Sequence, residues 1–379
     1  MKVVFNIIRQ YFKRLDKPLF LVVFACSCLS VVLLYSIVYN KVISNIGTPY
    51  KMQAVSMVIG AFCALFLSAI DYQKLAKLWF LYVPASLLLV LLTFTGLGYQ
   101  RAGADDKAWL NLGFMTLQPS EFLKLAFILS FSYHLSKVSG EINSLKNLAL
   151  LCLHGAVPVG IIALQGDFGT AMVFLAVFVF MIFSAGLSFK YIIAALIAAP
   201  IMAVTAWFVI LQPVHRKRVM VLFNPDLDPL GVGNQQRQGK IALGSGRMLG
   251  KGLFGGDYSY VPEVQNDFIF SYVGQTLGFV GCIILVGALG FICIKIIINA
   301  RMAKDDLGKN ICIGVFGLIF THSFINIGMV LGIMPVIGVP LPFISAGGTA
   351  MLSMYIAIGL VMSVHAHSDK NYAIFYDAN

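Results

Sequence analysis

The carboxylate of Asp267 is the side chain best placed to do chemistry in this sequence. It lies near the end of the only long polar stretch between apolar segments, 211–268, and an apolar segment follows directly. An ionisable group at such a boundary is a candidate functional residue, and the polar head of a lipid-linked substrate would lie at the same depth. The position would equally suit a residue that caps the next helix, so both roles stay open for Asp267.

Basic side chains and glycines precede Asp267 in the same stretch. Glycine backbone between Gly231 and Gly256 can approach a phosphate closely, although the spacing matches neither the P-loop nor the dinucleotide fingerprint. The basic residues would fit a cradle for a pyrophosphate, and equally a solvated rim. They are Arg216, Lys217, Arg218, Arg237, Lys240, Arg247 and Lys251.

Two further acids lie at the predicted outer ends of helices. Glu121 and Lys124 are three residues apart inside an apolar span, where they can pair, either as a structural ion pair or to position a site. Asp167 lies in a tight turn between two spans and can cap the following helix, although a chemical role also fits its type. From Trp109 onward, 109–115 alternates apolar and polar residues, as in an interfacial segment that leads into a span.

The composition places these residues in a membrane. The chain has 379 residues, of which 59% are hydrophobic and 11% charged, whereas soluble domains carry roughly 25% charged residues. We predict an all-α, polytopic integral membrane protein that forms one transmembrane domain over 1–379, with a large extracytoplasmic loop, 212–267, between helices 7 and 8. The ten predicted spans lie near 18–39, 52–70, 76–97, 119–136, 147–164, 168–187, 190–211, 268–294, 310–333 and 343–364.

Lysine and arginine residues set the predicted orientation. Most of them fall on the side of the N-terminal tail, which predicts cytoplasmic tails at 1–17 and 365–379. Orientation and anionic lipid explain the net charge of +11, so no nucleic-acid partner is predicted.

The seven cysteines lie in apolar runs without zinc-like spacing, and no metal site is predicted. Three histidines are interpreted as satisfied interior side chains: His134, His154 and His322.

These stretches, in this order, resemble the SEDS family of bacterial cell-wall polymerases over essentially the whole chain. Each stretch alone is a modest signal of the family, but the ordered set is highly specific for it. Residues 250–252 and 362–367, with Lys240, are more similar to the elongation branch, RodA, than to the division paralogue FtsW. The matching stretches are 109–113, 118–121 with Lys124, 165–170, Arg218 with 223–229, 238–246, 262–263 with 267–270, and 338–345 with 347–348.

The chain departs from the family pattern at three places. Gly166 replaces a usual proline, which loosens the turn that holds Asp167. Gln275 and Thr276 replace a pair of acids, so no role of those acids is carried over. Ala346 replaces a common tyrosine. Asp267 itself matches the family.

The resemblance implies a peptidoglycan glycosyltransferase that polymerises lipid II, a disaccharide-pentapeptide on undecaprenyl pyrophosphate, during elongation. This inverting transfer needs a base at the acceptor hydroxyl and cations at the leaving group. Asp267 is the expected base, with a pKa raised by partial burial. Arg218, Lys240, Gln238 and Ser245 are expected to bind substrate. Glu121, Lys124, Asp167, Trp109 and Ser345 are expected to support the site. No cofactor is assigned, and a divalent cation (Mg²⁺ or Mn²⁺) at the pyrophosphate is left open.

The resemblance also implies partners and a cellular location for this activity, and two other functions fit the same sequence features. The expected partners are a class B penicillin-binding protein, a transpeptidase that crosslinks the glycan, and membrane lipids. The expected location is the bacterial cytoplasmic membrane. A lipid II flippase would suit many spans and proline-broken helices equally well. A non-catalytic scaffold for other wall enzymes is a third reading, in which Asp267→Asn would be silent.

Overall fold

The computed structural model describes residues 13–43, 47–100, 106–111, 113 and 116–368. Most of both predicted tails, Arg101, and positions 112, 114 and 115 of the interfacial segment lie outside the described residues. The helices are α1 (Lys17–Tyr39), α2 (Pro49–Ala69), α3 (Tyr72–Lys77), α4 (Trp79–Leu92), α5 (Pro119–Lys137), α6 (Leu145–Leu164), α7 (Phe168–Ser184), α8 (Phe189–Thr205), α9 (Pro213–Phe223), α10 (Val232–Ser245), α11 (Ile269–Arg301), α12 (Asp306–Leu331) and α13 (Gly348–Ala366).

The prediction of an all-α, polytopic membrane protein is confirmed. Seven helices of the described part are long and apolar enough to cross a membrane: α1, α2, α6, α8 with its π-helical extension, α11, α12 and α13. Helices α4 and α7 are apolar but shorter, and α5 carries the charges of Glu121 and Lys124. Each predicted span contains at least one helix, but the count of ten spans stays a prediction.

The structure differs from the sequence prediction around the last span. Helix α13 begins at Gly348 rather than near 343, and residues 332–347 form no helix. Three prolines explain this, because proline lacks a backbone N–H and restricts the residue before it. They are Pro335, Pro340 and Pro342. We call residues 334–347 the proline loop.

The predicted loop 212–267 is partly helical. It contains α9 and α10, and α10 packs along the N-terminal part of α11. Gly239 of α10 lies against the Phe268 ring, where an added Cβ would come within 2.6 Å of a ring carbon. This glycine therefore serves close packing, which fixes α10 beside the residues that precede α11.

Helix α11 is broken at Gly278, whose φ is 69°. A break within an apolar helix frees backbone groups that have no water to bond in a bilayer. The segment 247–252 supplies their partners, so this part of the long loop is tied to the helix interior. The bonds are Phe279 N to Arg247 O (2.8 Å), Val280 N to Met248 O (3.1 Å), Lys251 N to Gln275 O (2.9 Å) and Gly252 N to Thr276 O (3.0 Å).

Small residues bring α2 and α13 into close contact. Gly60 lies against the Tyr355 ring, and Gly359 lies against the Ala64 backbone. Such approach of backbones is how helices associate where lipid replaces water. The pair sets α2 beside the start of α13, and therefore beside the proline loop. A short antiparallel sheet lies before α5, with strands β1 (Gly98–Tyr99), β2 (Trp109–Asn111) and β3 (Thr116–Leu117).

Candidate active site

Asp267 is half-buried at the start of α11. The N-cap position of this helix belongs to Phe268, one residue later. The carboxylate faces Gly338 of the proline loop, where an added Cβ would lie 3.5 Å from Oδ2. Gly338 has a φ of 68°, a conformation that favours glycine.

The main chain at Asp267 is held by hydrogen bonds to three consecutive backbone carbonyls. Each accepts a hydrogen bond from a different residue of α12 or the proline loop. Because the backbone is fixed on both sides of Asn266, the position of the Asp267 side chain is set by the fold. The bonds are Ala346 N to Gln265 O (2.8 Å), Ser345 Oγ to Asn266 O (2.5 Å) and Asn326 Nδ2 to Asp267 O (2.8 Å).

The proline loop is in turn held by side chains from five helices. It has no helical ladder of its own, so its carbonyls need other donors. The donors are Arg218 to Val336 O (3.2 Å), Gln236 to Met334 O (3.2 Å), Asn326 to Val339 O (2.8 Å), Ser30 to Ile344 O (2.5 Å) and Gln53 to Ser345 O (2.9 Å). Distant parts of the chain thus converge on the segment that contacts Asp267.

Two of the predicted substrate-binding cations lie at this loop or just before it. Arg218 of α9 is half-buried and donates to the loop at Val336. Lys240 of α10 is exposed and lies over Gly332, the left-handed residue that ends α12. The Lys240 amine has no hydrogen bond or ion pair with any residue that the structure describes, so it is available to an anion. The C-terminal end of α12 favours a cation there.

The other predicted substrate-binding residues lie along α10. Gln238 is half-buried. Ser245 lies at the far end of the helix, and its hydroxyl donates to Ala242 O within the same helix (2.8 Å). Its hydroxyl bond thus stays within α10, whereas Arg218 and Lys240 lie at the segment 332–338 beside Asp267. Binding roles for these residues stay predictions.

The predicted ion pair between Glu121 and Lys124 is present and buried. The side chains are each 2% exposed, and Lys124 Nζ lies 2.8 Å from Glu121 Oε1. Ser353 Oγ donates to the other carboxylate oxygen at 2.6 Å. Both oxygens therefore have partners, as a buried charge requires.

His322 joins this pair to the proline loop. Its Nε2 lies 3.1 Å from Lys124 Nζ, and its Nδ1 lies 3.1 Å from Pro340 O. An ammonium can only donate and a carbonyl can only accept, so the ring is neutral with its hydrogen on Nδ1. The prediction of a satisfied interior histidine is confirmed for His322. The ring also links the ion pair to the proline loop, a contact that its place in the sequence does not predict.

The remaining supporting residues lie at the rim of the bundle. Asp167 caps α7, because its Oδ1 accepts from Thr170 N at 2.9 Å. Gln118 Nε2 lies 3.4 Å from the other oxygen of Asp167. Trp109 is half-buried in β2, opposite Tyr99 of β1. These positions are compatible with support of the outer helix ends, and that role stays a prediction.

An ion pair that the sequence analysis did not assign links α9 to α10. Lys217 Nζ lies 3.0 Å from Asp228 Oδ1, and Asp228 Oδ2 accepts from Val232 N at 2.9 Å. The hydrogen bond from Lys217 holds the pKa of Asp228 below its ordinary value. The link sets the angle between the helices that carry Arg218 and Lys240.

The described residues contain no group of three or more histidines, cysteines or acids that could hold a metal ion. A divalent cation at Asp267 would thus take most of its ligands from water and substrate phosphates, as Mg²⁺ commonly does. A small cavity adjoins the proline loop, lined by Pro340, Pro342, Ser345, Ala350 and Met354 among others.

Known proteins are similar to this chain over most of its length. A family model described as "Cell cycle protein", for FtsW, RodA and SpoVE, matches residues 16–370. "Peptidoglycan glycosyltransferase MrdB" of Escherichia coli (strain K12) is 35% identical over 292 residues, 76% of this chain and 78% of that protein. "Probable peptidoglycan glycosyltransferase FtsW" of Trichlorobacter lovleyi is 32% identical over 371 residues, 95% of this chain and 96% of that protein.

A solved structure has the same fold. Its title is "Structural coordination of polymerization and crosslinking by a peptidoglycan synthase complex", and one chain matches with a TM-score of 0.79 and 27% identity. The match covers 94% of this chain and 99% of that one. Relatives of both the elongation and the division branch are similar to the chain, so these likenesses do not choose between them. The chain belongs to the SEDS family of FtsW, RodA and SpoVE proteins, and it is a glycosyltransferase.

Proposed function

We propose that this chain polymerises lipid II into peptidoglycan glycan strands during cell elongation. The observation that carries the proposal is the half-buried carboxylate of Asp267, with its main chain fixed by three donors. Arg218 donates to Val336 O and Lys240 lies over Gly332, within the same short segment, 332–338, whose Gly338 lies beside this carboxylate. A base and two cations are thus held around one short piece of backbone, as glycosyl transfer from a pyrophosphate donor requires.

In this proposal Asp267 removes the proton from the acceptor hydroxyl. The hydroxyl oxygen then forms the β1,4 bond at the anomeric carbon while the bond to the pyrophosphate oxygen breaks. Arg218 and Lys240 neutralise the departing pyrophosphate. Gln238 and Ser245 extend the binding surface along α10. The buried pair of Glu121 and Lys124 acts indirectly, since His322 ties it to the proline loop.

The elongation role and the orientation rest on the sequence. Residues 250–252 and 362–367 are more similar to the RodA branch than to the FtsW branch. The distribution of basic residues favours termini in the cytoplasm and 212–267 on the outer face of the bacterial cytoplasmic membrane. Restored rod shape in cells that lack their elongation polymerase, without restored division in cells that lack the division paralogue, is the expected result for this branch.

A class B penicillin-binding protein is the proposed partner. The structural neighbour belongs to a complex that, by its title, coordinates polymerisation with crosslinking. The membrane helices of this chain expose apolar side chains over a wide surface, and α8 has no buried residue at all among those described. Such a surface can seat the single helix of a membrane-anchored partner.

Polymer formation in detergent tests the proposed function. The purified full-length chain, with the partner if needed, is incubated with lipid II, and the products are separated by size. We expect glycan polymer, which a transporter would not make, because detergent micelles offer no two sides to transport between. Absence of polymer under conditions in which a related polymerase is active would contradict the proposal.

A further inference from the structure

Gln53 is a buried amide in an otherwise apolar helix. It lies in the first turns of α2, is 1% exposed, and was not singled out by its place in the sequence. A buried polar side chain is normally hydrogen-bonded, so the partners of such a residue indicate its task.

The amide of Gln53 brackets one residue of the proline loop. Its Nε2 donates to Ser345 O at 2.9 Å, and its Oε1 accepts from Gly347 N at 3.2 Å. The carbonyl before Ala346 and the N–H after it are thus held by one side chain, as a neighbouring β-strand would hold them. Nε2 also donates to Ser30 Oγ at 2.9 Å, and Ser30 itself bonds the loop at Ile344 O.

The bracketed residues are those that hold the main chain before Asp267. Ala346 N donates to Gln265 O at 2.8 Å. Ser345 Oγ donates to Asn266 O at 2.5 Å and accepts from Leu341 N at 2.8 Å. A continuous set of hydrogen bonds therefore runs from α2 to the residue next to the proposed base.

We infer that Gln53 is a positioning residue for the reaction at Asp267. It touches no reacting atom in this account and acts through Ser345 and Ala346. The inference rests on the proposed function. The Gln53 amide offers a donor and an acceptor side by side, and asparagine, which carries the same amide, is one methylene shorter.

Two variants separate positioning from general stability. Gln53→Met keeps the length of the side chain and removes its hydrogen bonds. Asn299→Leu is the matched control, because Asn299 is a buried amide in α11 that bonds Asp16 Oδ2 (2.9 Å) and His365 Nδ1 (2.9 Å), away from the proline loop. Both variants are compared with the unaltered full-length chain in nanodiscs.

The first measurement is the steady-state polymerisation of lipid II. We expect Gln53→Met to lower kcat by about 10- to 100-fold, because small misplacements of a catalytic group have effects of this size. We expect KM to change by less than about threefold, because the cations that bind the pyrophosphate are not moved. The second measurement is hydrogen exchange, and we expect faster deuterium uptake in 262–268 and 341–347 of Gln53→Met alone.

The outcomes are distinguishable. A normal kcat in Gln53→Met, a loss equal to that of Asn299→Leu, or unchanged exchange in both segments would overturn the positioning role while the polymerase stands. No polymer from the unaltered chain would overturn the proposed function and, with it, this role in the reaction. A lower kcat with faster exchange in both segments, absent from Asn299→Leu, would support the inference.

Discussion

Two carboxylates near the N-terminal ends of helices, Glu121 and Asp267, differ in burial and in how the fold holds them. Glu121 is 2% exposed, and both of its oxygens are bonded, one by Lys124 and one by Ser353. Asp267 is half-buried beside a glycine, and hydrogen bonds to Gln265 O, Asn266 O and Asp267 O fix its main chain. The comparison teaches that burial with compensating partners suits an acid with a structural role, whereas partial burial on a fixed backbone suits the role of base that we propose for Asp267.

The largest effect on folding is expected from Lys124→Met. It would leave Glu121 charged and without its cation in the membrane interior, which destabilises a protein by about 3–5 kcal/mol. We expect a lower yield of folded protein and a lower Tm in detergent. We expect the double variant Glu121→Gln with Lys124→Met to regain most of the stability that Lys124→Met alone loses. A Lys124→Met protein that folds normally but makes no polymer would break the comparison, because the pair would then act in the chemistry.

A smaller effect, on substrate affinity, is expected from Lys240→Glu. The Lys240 amine is exposed and has no partner among the described residues, so reversing its charge should leave the fold intact. The glutamate carboxylate should repel a pyrophosphate. We expect a KM for lipid II that is raised about tenfold or more, since one charge-assisted contact is worth about 1.5–3 kcal/mol. Lys137→Glu, at the other end of the bundle, is the control with the same change of net charge. An unchanged KM in Lys240→Glu would remove this residue from the proposed site.

The smallest effect is expected from Asp228→Asn. The pKa of Asp228 is lowered by the hydrogen bond from Lys217, so its contribution to stability is present above the unfolded-state pKa of about 4. It is lost as pH falls through the folded-state value. Surface pairs of this kind contribute about 0–1 kcal/mol. We expect the Tm difference between the unaltered chain and Asp228→Asn to be small at pH 7 and to shrink as the pH falls below about 4, through the lowered folded-state pKa. A Tm difference that stays constant as the pH is lowered until Asp228 is protonated would mean that this ion pair is not its cause.

The sequence predicts the membrane fold and the position of Asp267 because both depend on local pattern. Apolar runs predict the helices, and the carboxylate lies where a polar stretch meets one of them. The pairing of Glu121 with Lys124 follows from their spacing in one helix. The capping role of Asp167 follows in the same way from its place before α7.

The prolines and glycines of 335–348 predict broken backbone between the last two spans, but the partners of the proline loop could not be predicted, because they lie far away in the chain. Ser30, Gln53, Arg218 and Gln236 come from four different helices and bond carbonyls of the same loop. Nothing in their spacing reveals a common target. One available signal was the presence of polar side chains inside apolar spans, such as Gln53 and Asn326, which had to find buried partners.

The most direct test of the central claim is the turnover of lipid II by Asp267→Asn. The substitution keeps the size of the side chain and removes the base, while the carbonyl of this residue can still accept from Asn326. The account predicts unchanged folding, a KM close to that of the unaltered chain, and a kcat lower by at least about 100-fold. Full polymerase activity in Asp267→Asn would contradict it.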